Sequence, residues 1–387
     1  MSTAARTARW DIFCSVVDNY GDVGVAWRLA RQLAAEHGIA ARLYVDAPDA
    51  LARIAPEVDA AAERQFVRGV ELRTWDRAQD SKTPQDDTAA VVIEAFGCGL
   101  PAAYLSAIGA RTPPPVWINL EYLTAESWID GSHGLPSPQP RSPLTRHFYF
   151  PGFTATSGGL LREHGLLEQR DAFRGDRAAH AALWHAIAGG FSSGNALTVS
   201  LFCYTGAPVA SLLDCFAACA HAIVCLVPEG VASGAIDRWA GHEMRVGEPL
   251  QRDALTVLRV PFVAQDDYDR LMWSCDFNFV RGEDSFLRAQ WAGRPLVWQP
   301  YPQTETAHLT KLDAFLTRYA SDLAPAAAAA LCELARGWST GHVPAVSWRA
   351  VLAQYPALLS HAGAWARSLA TQSDLAARLV KFASDRV

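Results

Sequence analysis

Arg281-Gly282-Glu283-Asp284-Ser285-Phe286 sets one fixed cation, two carboxylates and a hydroxyl around a single glycine. A short apolar run, residues 277–280, precedes it. A helix-like run, residues 285–292, follows and is closed by Gly293 with Pro295 just beyond. A strand that turns through glycine into a helix start makes an anion site. The first helical N–H groups have no internal partner, and the helix dipole favours negative charge there. Arg281 is able to neutralise a diphosphate, and Ser285 to donate to one. The same residues also read as a plain strand–turn–helix, with Asp284 or Ser285 as N-cap and Arg281 paired with Glu283.

A second acidic loop lies near the amino end. Asp18-Asn19-Tyr20-Gly21-Asp22 places two carboxylates four residues apart across a glycine turn. Two readings stand: a pair for acid–base work, or Asp22 capping the following helix while Asp18 binds its own loop backbone. The glycines here do not form G-x-G-x-x-G, so a nicotinamide cofactor is disfavoured. No Ser/His/Asp order fits a nucleophile elbow. His133 and His308 lie near motif-rich stretches, but a lone histidine is more often structural or solvated.

The elements that must position these loops read as two α/β series. In the first, strand-like runs at 10–17, 39–45, 89–96 and 116–122 alternate with a helical run at 25–33. In the second, runs at 197–203, 222–227, 255–260, 277–280 and 295–298 alternate with helices near 210–220, from 266 or 267, and 285–292. Such alternation predicts parallel sheets with ligands at the carboxyl ends of the strands. The Gly/Ser-rich stretch 189–195 reads as a linker. The expected organisation is an α/β protein of two Rossmann-like domains facing a central cleft, 1–190 and 191–362. A carboxyl-terminal helix within 363–387 is expected to pack back on the first domain.

Composition limits the alternatives. At 387 residues the chain is long for one core, and 50% apolar with 19% charged residues is ordinary for a globular protein. A net charge of −6 argues against a broad nucleic-acid surface. The eight cysteines include no C-x-x-C pair and no Cys/His cluster at zinc spacing, and Cys215 and Cys219 read as packing on one helix. Residues 1–9 show no apolar segment of a secretory signal, and the apolar zone 196–227 is interrupted by Pro208, Asp214 and His221. A reduced, cytoplasmic protein with no membrane association is the expectation.

Six separated blocks carry a resemblance: the loop at 18–25, residues 117–122, 150–153, 281–286, 289–293 and 301–303. In that order they resemble the EarP family of protein-arginine rhamnosyltransferases, with the likeness running from about Trp10 to about Tyr319. The resemblance implies a GT-B-type glycosyltransferase that uses dTDP-β-L-rhamnose as co-substrate, with no cofactor and no metal. It implies an acceptor arginine on bacterial translation elongation factor P and inversion at the anomeric carbon. A monomer is the separate expectation. By position it makes Asp22 the catalytic base, Asp18 its neighbour in the acceptor site, and Glu283 a second essential carboxylate. Arg281, Asp284 and Ser285 would hold the ribose–diphosphate region; Phe262 would stack on thymine and Gln265 would contact the pyrimidine edge. Phe202, Tyr204 and Tyr301 would line the donor pocket, and Asn19 and Gly21 the acceptor side; Tyr20 would either pack or line the acceptor side.

The chemistry suits these residues on one condition. A guanidinium has a pKa above roughly 12 and a carboxylate near 4, so full proton transfer before attack costs on the order of 11 kcal/mol. The proton must therefore leave as the C–N bond forms. A carboxylate also aligns a planar guanidinium through paired N–H bonds. Glu283 beside a diphosphate is a like-charge problem; it faces the sugar or acceptor, or it holds Arg281 or local backbone. Two rival functions remain: a glycosyltransferase with a lipid or small-molecule acceptor, and a non-catalytic nucleotide-sugar-binding partner of a translation factor.

Overall fold

The computed structural model describes residues 8–75, 89–303 and 306–386. The amino-terminal expectation falls mainly on residues 1–7, outside the described residues. The chain divides into two compact units, Met1–His164 with Ala370–Val387, and Gly165–Leu369.

The first unit opens as β1 (Arg9–Cys14), α1 (Gly21–His37), β2 (Ala40–Val45), α2 (Pro48–Ile54), β3 (Arg64–Val67) and β4 (Val70–Thr74). It continues as β5 (Val91–Ala95), α3 (Ala102–Gly109), β6 (Val116–Leu120), β7 (Pro136–Pro138) and β8 (Thr145–Tyr149). The sheet order is β3-β4-β2-β1-β5-β6-β8-β7. All pairings are parallel except the edge pairs β3/β4 and β7/β8. β5 and β6 are buried at every residue, as strands covered on both faces require. Phe13, Trp75, Tyr104, Ile108 and Trp117 form a core on this sheet. Because β1 lies between β2 and β5, the strand order reverses at β1/β5, where open α/β sheets bind ligands.

The second unit runs α4 (Leu166–Gly175), α5 (Arg177–Ala188), β9 (Leu197–Leu201), α6 (Val209–Ala217), β10 (Ile223–Pro228) and α7 (Ser233–Ala240). Next come β11 (Pro249–Arg252), β12 (Leu255–Val260), α8 (Gln265–Ser274), β13 (Phe277–Arg281), α9 (Asp284–Ala292) and β14 (Leu296–Gln299). Helices α10 (Ala307–Tyr319), α11 (Pro325–Thr340), α12 (Ser347–Ala353) and α13 (Tyr355–Ala370) close the unit. Its order, β11-β12-β10-β9-β13-β14, reverses at β9/β13.

The unit boundary falls after His164, not at 190. The cause is the packing of α4 and α5. Leu183, Trp184 and Ile187 are buried against Val224, Leu226, Leu258 and Leu271 of the second sheet and its α8 helix. Arg170 Nη1 donates to the Trp291 carbonyl at 2.8 Å, capping the end of α9. The Gly/Ser stretch is thus a connection inside the second unit; Gly189 simply ends α5 in the left-handed conformation. The chain leaves the second unit after Leu369 rather than 362. α14 (Leu375–Ser384) then belongs to the first unit. Arg162 Nη1 donates to the Ala370 carbonyl at 2.6 Å, the Leu375 amide donates to the Leu160 carbonyl at 2.9 Å, and Asp374 caps α14.

Candidate active site

The acidic loop leaves the end of β1 at the strand-order reversal of the first unit. α1 begins at Gly21, earlier than the helical run starting at 25 suggests, because Asp22 and Gly24 lie inside its first turn. Tyr20 is the N-cap and offers no side-chain cap, so Asp22 does not cap the helix. It reaches backwards instead. Its Oδ2 accepts the amides of Val17 and Asp18, both at 2.8 Å. The next amide upstream, Val16, donates to Asp46 Oδ1 at 2.9 Å, and Ser15 Oγ donates to Asp46 Oδ2 at 2.5 Å. Successive amides of this kind form an anion-binding concavity. Here two of the chain's own carboxylates fill it.

Asp22 is fully buried, and its Oδ1 has no hydrogen-bond donor in bonding geometry. Burial raises its pKa above the usual carboxylate value; the amides of Asp18 and Val17 and the Tyr122 hydroxyl oppose that, and the charge of Asp46 adds to it. Asp18 is buried as well, and its carbonyl closes the turn by accepting the Gly21 amide at 2.6 Å. Asn19 adopts φ 35°, a left-handed position that asparagine tolerates better than most residues. It is exposed, while Tyr20 and Gly21 are half-buried.

The second cluster gathers at the carboxyl ends of β9, β12, β13 and β14. Gly282 takes φ 55° between β13 and α9, the conformation that lets the chain turn. Glu283, rather than Asp284 or Ser285, is the N-cap of α9. Ser285 Oγ donates to the Arg281 carbonyl at 2.6 Å and accepts the Arg281 amide at 3.0 Å. Its hydroxyl thus locks the turn. The Arg281 guanidinium lies 4.4 Å from the ring centre of Phe202 and 4.6 Å from that of Tyr204, and donates to the Cys203 carbonyl at 2.9 Å. Tyr301 meets Tyr204 edge-on at 5.4 Å and is 42% exposed. Gln265, first residue of α8, donates to Asp284 Oδ2 at 3.0 Å. Phe262 lies half-buried in the short connection between β12 and α8. The second unit therefore brings together Phe202, Tyr204, Arg281, Ser285 and Tyr301, with Gln265 joined to Asp284.

Asp46 and Tyr122 were not singled out from the sequence. They come from the ends of β2 and β6, and only the sheet order brings them to Asp22. Tyr122 closes the strand-like run 116–122, and Asp46 follows the run 39–45. His133 Nδ1 accepts the Phe150 amide at 3.1 Å, and its ring meets Tyr149 edge-on, a structural role. His308 Nδ1 accepts the Gln303 amide at 3.3 Å. Among the described residues, no group of three or more His, Cys, Asp or Glu could hold a metal ion, and no helix is long and apolar enough to cross a membrane.

Two Rossmann-like units, each with residues able to do chemistry at its strand-order reversal, make this a GT-B-type glycosyltransferase fold. A solved structure described as the structural basis for EarP-mediated arginine glycosylation of translation elongation factor EF-P is 37% identical, with a TM-score of 0.70, and covers 98% of this chain and 100% of its own. A protein-arginine rhamnosyltransferase of Pseudomonas putida is 50% identical over 376 residues, 97% of this chain and 98% of the relative. One from Pseudomonas aeruginosa is 48% identical over 379 residues, 98% and 99% of the two chains. The family model for the elongation-factor P rhamnosyltransferase EarP matches residues 10–384. The chain belongs to the EarP family and is a glycosyltransferase.

Proposed function

We propose that this enzyme transfers L-rhamnose from dTDP-β-L-rhamnose, with inversion and without a metal, to an arginine side chain of translation elongation factor P. The relatives' names support the rhamnosyl group and the arginine acceptor, and the structural neighbour's description supports elongation factor P. One observation carries the role of the base: Asp22 is buried with Oδ2 tied to two amides and Oδ1 left without a donor. A carboxylate so fixed can take a guanidinium N–H on Oδ1.

The step runs as one displacement. A guanidinium nitrogen forms the new bond to the anomeric carbon, its proton passes to Asp22 Oδ1, and the bond to the diphosphate oxygen breaks with its electron pair leaving on dTDP. Burial raises the proton affinity of Asp22 and so narrows the gap of about 11 kcal/mol between a normal carboxylate and arginine. The remainder falls because the attacking nitrogen becomes acidic as it alkylates. Asp18 and the loop residues Asn19, Tyr20 and Gly21 form the acceptor side.

The donor belongs to the second unit in this reading. The amide concavity after β1 is already filled by Asp22 and Asp46, which disfavours a phosphate there. The β13–α9 turn, by contrast, offers a helix start beside Arg281, whose orientation is fixed by Phe202, Tyr204 and the Cys203 carbonyl. Phe262 stacks on thymine, and Gln265 reads the pyrimidine edge. Glu283, at the cap of α9, shapes the turn that presents Arg281. All eight cysteines are thiols, which supports a cytoplasmic site of action. A monomeric enzyme is part of this reading.

The test is the intact mass of elongation factor P after incubation with the enzyme and dTDP-rhamnose. The expected gain is one deoxyhexose per acceptor. An unchanged mass with both substrates active contradicts the proposal.

A further inference from the structure

Phe96 carries a backbone conformation that its side chain disfavours. It follows β5 at φ 59°, in the left-handed region, and Gly97 comes next at φ 62°. For a bulky residue this is an outlier, and such outliers concentrate where a side chain must be held in place. The surroundings enforce it. The Phe96 amide donates to the Leu120 carbonyl at 2.6 Å, and the Gly97 amide donates to Asn119 Oδ1 at 3.1 Å. Asn119 is itself fixed through Nδ2 to Glu121 at 2.6 Å, and the Gly99 amide donates to Glu94 at 2.9 Å.

The result of this conformation is a stack. The Phe96 ring lies on Tyr122 with centroids 4.4 Å apart and planes 15° from parallel. Both rings are half-buried. The Tyr122 hydroxyl lies close enough to the Asp22 carboxylate to oppose the rise in its pKa that burial causes. β1, β5 and β6 are adjacent strands, so Phe96 and Tyr122 follow neighbouring strand ends, beside the loop that leads from β1 to Asp22 in the first turn of α1. A planar, weakly hydrated cation is favoured on an aromatic face, and a guanidinium far more than a compact ammonium.

We propose that the stacked Phe96–Tyr122 pair is the platform on which the acceptor guanidinium lies, edge toward Asp22 Oδ1, so that it selects arginine over lysine. This rests on the assignment of Asp22 as the base that faces the acceptor. The platform binds the flat face of the cation while Asp22 takes its N–H. Phe96 is then an acceptor-binding residue with no part in donor binding.

The experiment measures acceptor KM, kcat and the dTDP dissociation constant separately for Phe96→Gly, Phe96→Ala, Phe96→Tyr and Tyr122→Leu in the full-length protein, with elongation factor P as acceptor. Glycine accepts the positive φ, so Phe96→Gly removes the ring without leaving strain and is expected to melt no lower than Phe96→Ala. Loss of either ring is expected to raise acceptor KM about tenfold, with the dTDP constant unchanged. Phe96→Tyr retains the stack and restores KM. Wild-type transfer together with unaltered acceptor KM in Phe96→Gly and Tyr122→Leu overturns the platform and leaves Asp22 as base. Absence of transfer by the wild-type protein removes the base assignment and the platform with it.

Discussion

The Asp22 carboxylate accepts the amide of Asp18 at 2.8 Å, so the two acidic residues of one loop are joined through the main chain. The carboxylate that is proposed to take the proton also holds the backbone that presents its neighbour. Its position is fixed before any acceptor arrives, which lowers the entropic cost of alignment.

That arrangement has a price in stability with a definite pH sign. The pKa of Asp22 is raised, chiefly by burial. The unfolded chain therefore releases this proton first as pH rises above about 3.8, and folding stability falls through the window up to the raised value. Asp22→Asn keeps an acceptor for the Val17 and Asp18 amides and removes the titration. Its melting temperature relative to the parent should climb between acidic and neutral pH. A difference that stays constant with pH contradicts this.

Arg281 is held by two rings and a carbonyl, and lysine reproduces none of that geometry. Arg281→Lys keeps the charge and loses the stacking, which should weaken dTDP binding by about 1–2 kcal/mol, near tenfold. Calorimetric titration checks it, and equal affinity removes Arg281 from the donor site.

Phe262 stands in the β12–α8 connection, half-buried. As the proposed thymine platform, its change to alanine should cost about 1–3 kcal/mol of dTDP affinity. An unchanged dissociation constant would make Phe262 a packing residue.

Asp11 pairs with Arg42 through bonds of 2.9 and 2.6 Å, all within the first core, and Tyr104 adds a third at 2.6 Å. Removing one partner of a buried pair strands the other. Asp11→Ala should destabilise by about 3 kcal/mol or more, read by urea denaturation, while dTDP affinity stays at the parental value.

How much of this was legible in the sequence depends on distance along the chain. The β13–α9 turn reads directly because Arg281, Gly282 and Ser285 are neighbours and the apolar period changes across them. The α/β alternation follows from the same periodicity, and the GT-B-type fold from the family blocks. The unit boundary does not. Glycines at 189, 190 and 194 look like a linker, yet Trp184 packs the preceding helices on the second sheet and Arg170 ties them to the end of α9, long-range contacts that no local composition encodes. Asp46, Phe96 and Tyr122 share that difficulty. Each follows a strand that reads clearly, but which strand ends are adjacent depends on sheet order. The positive φ of Phe96 leaves only the glycines at 97 and 99 as its mark in the sequence.

The role of Asp22 is tested most directly by measuring dTDP affinity and single-turnover transfer to elongation factor P in Asp22→Asn beside the parent. The account predicts an unchanged dTDP dissociation constant with transfer slowed by about a hundredfold or more. Transfer at the parental rate, with the asparagine confirmed by mass, would show that the proton leaves by another route.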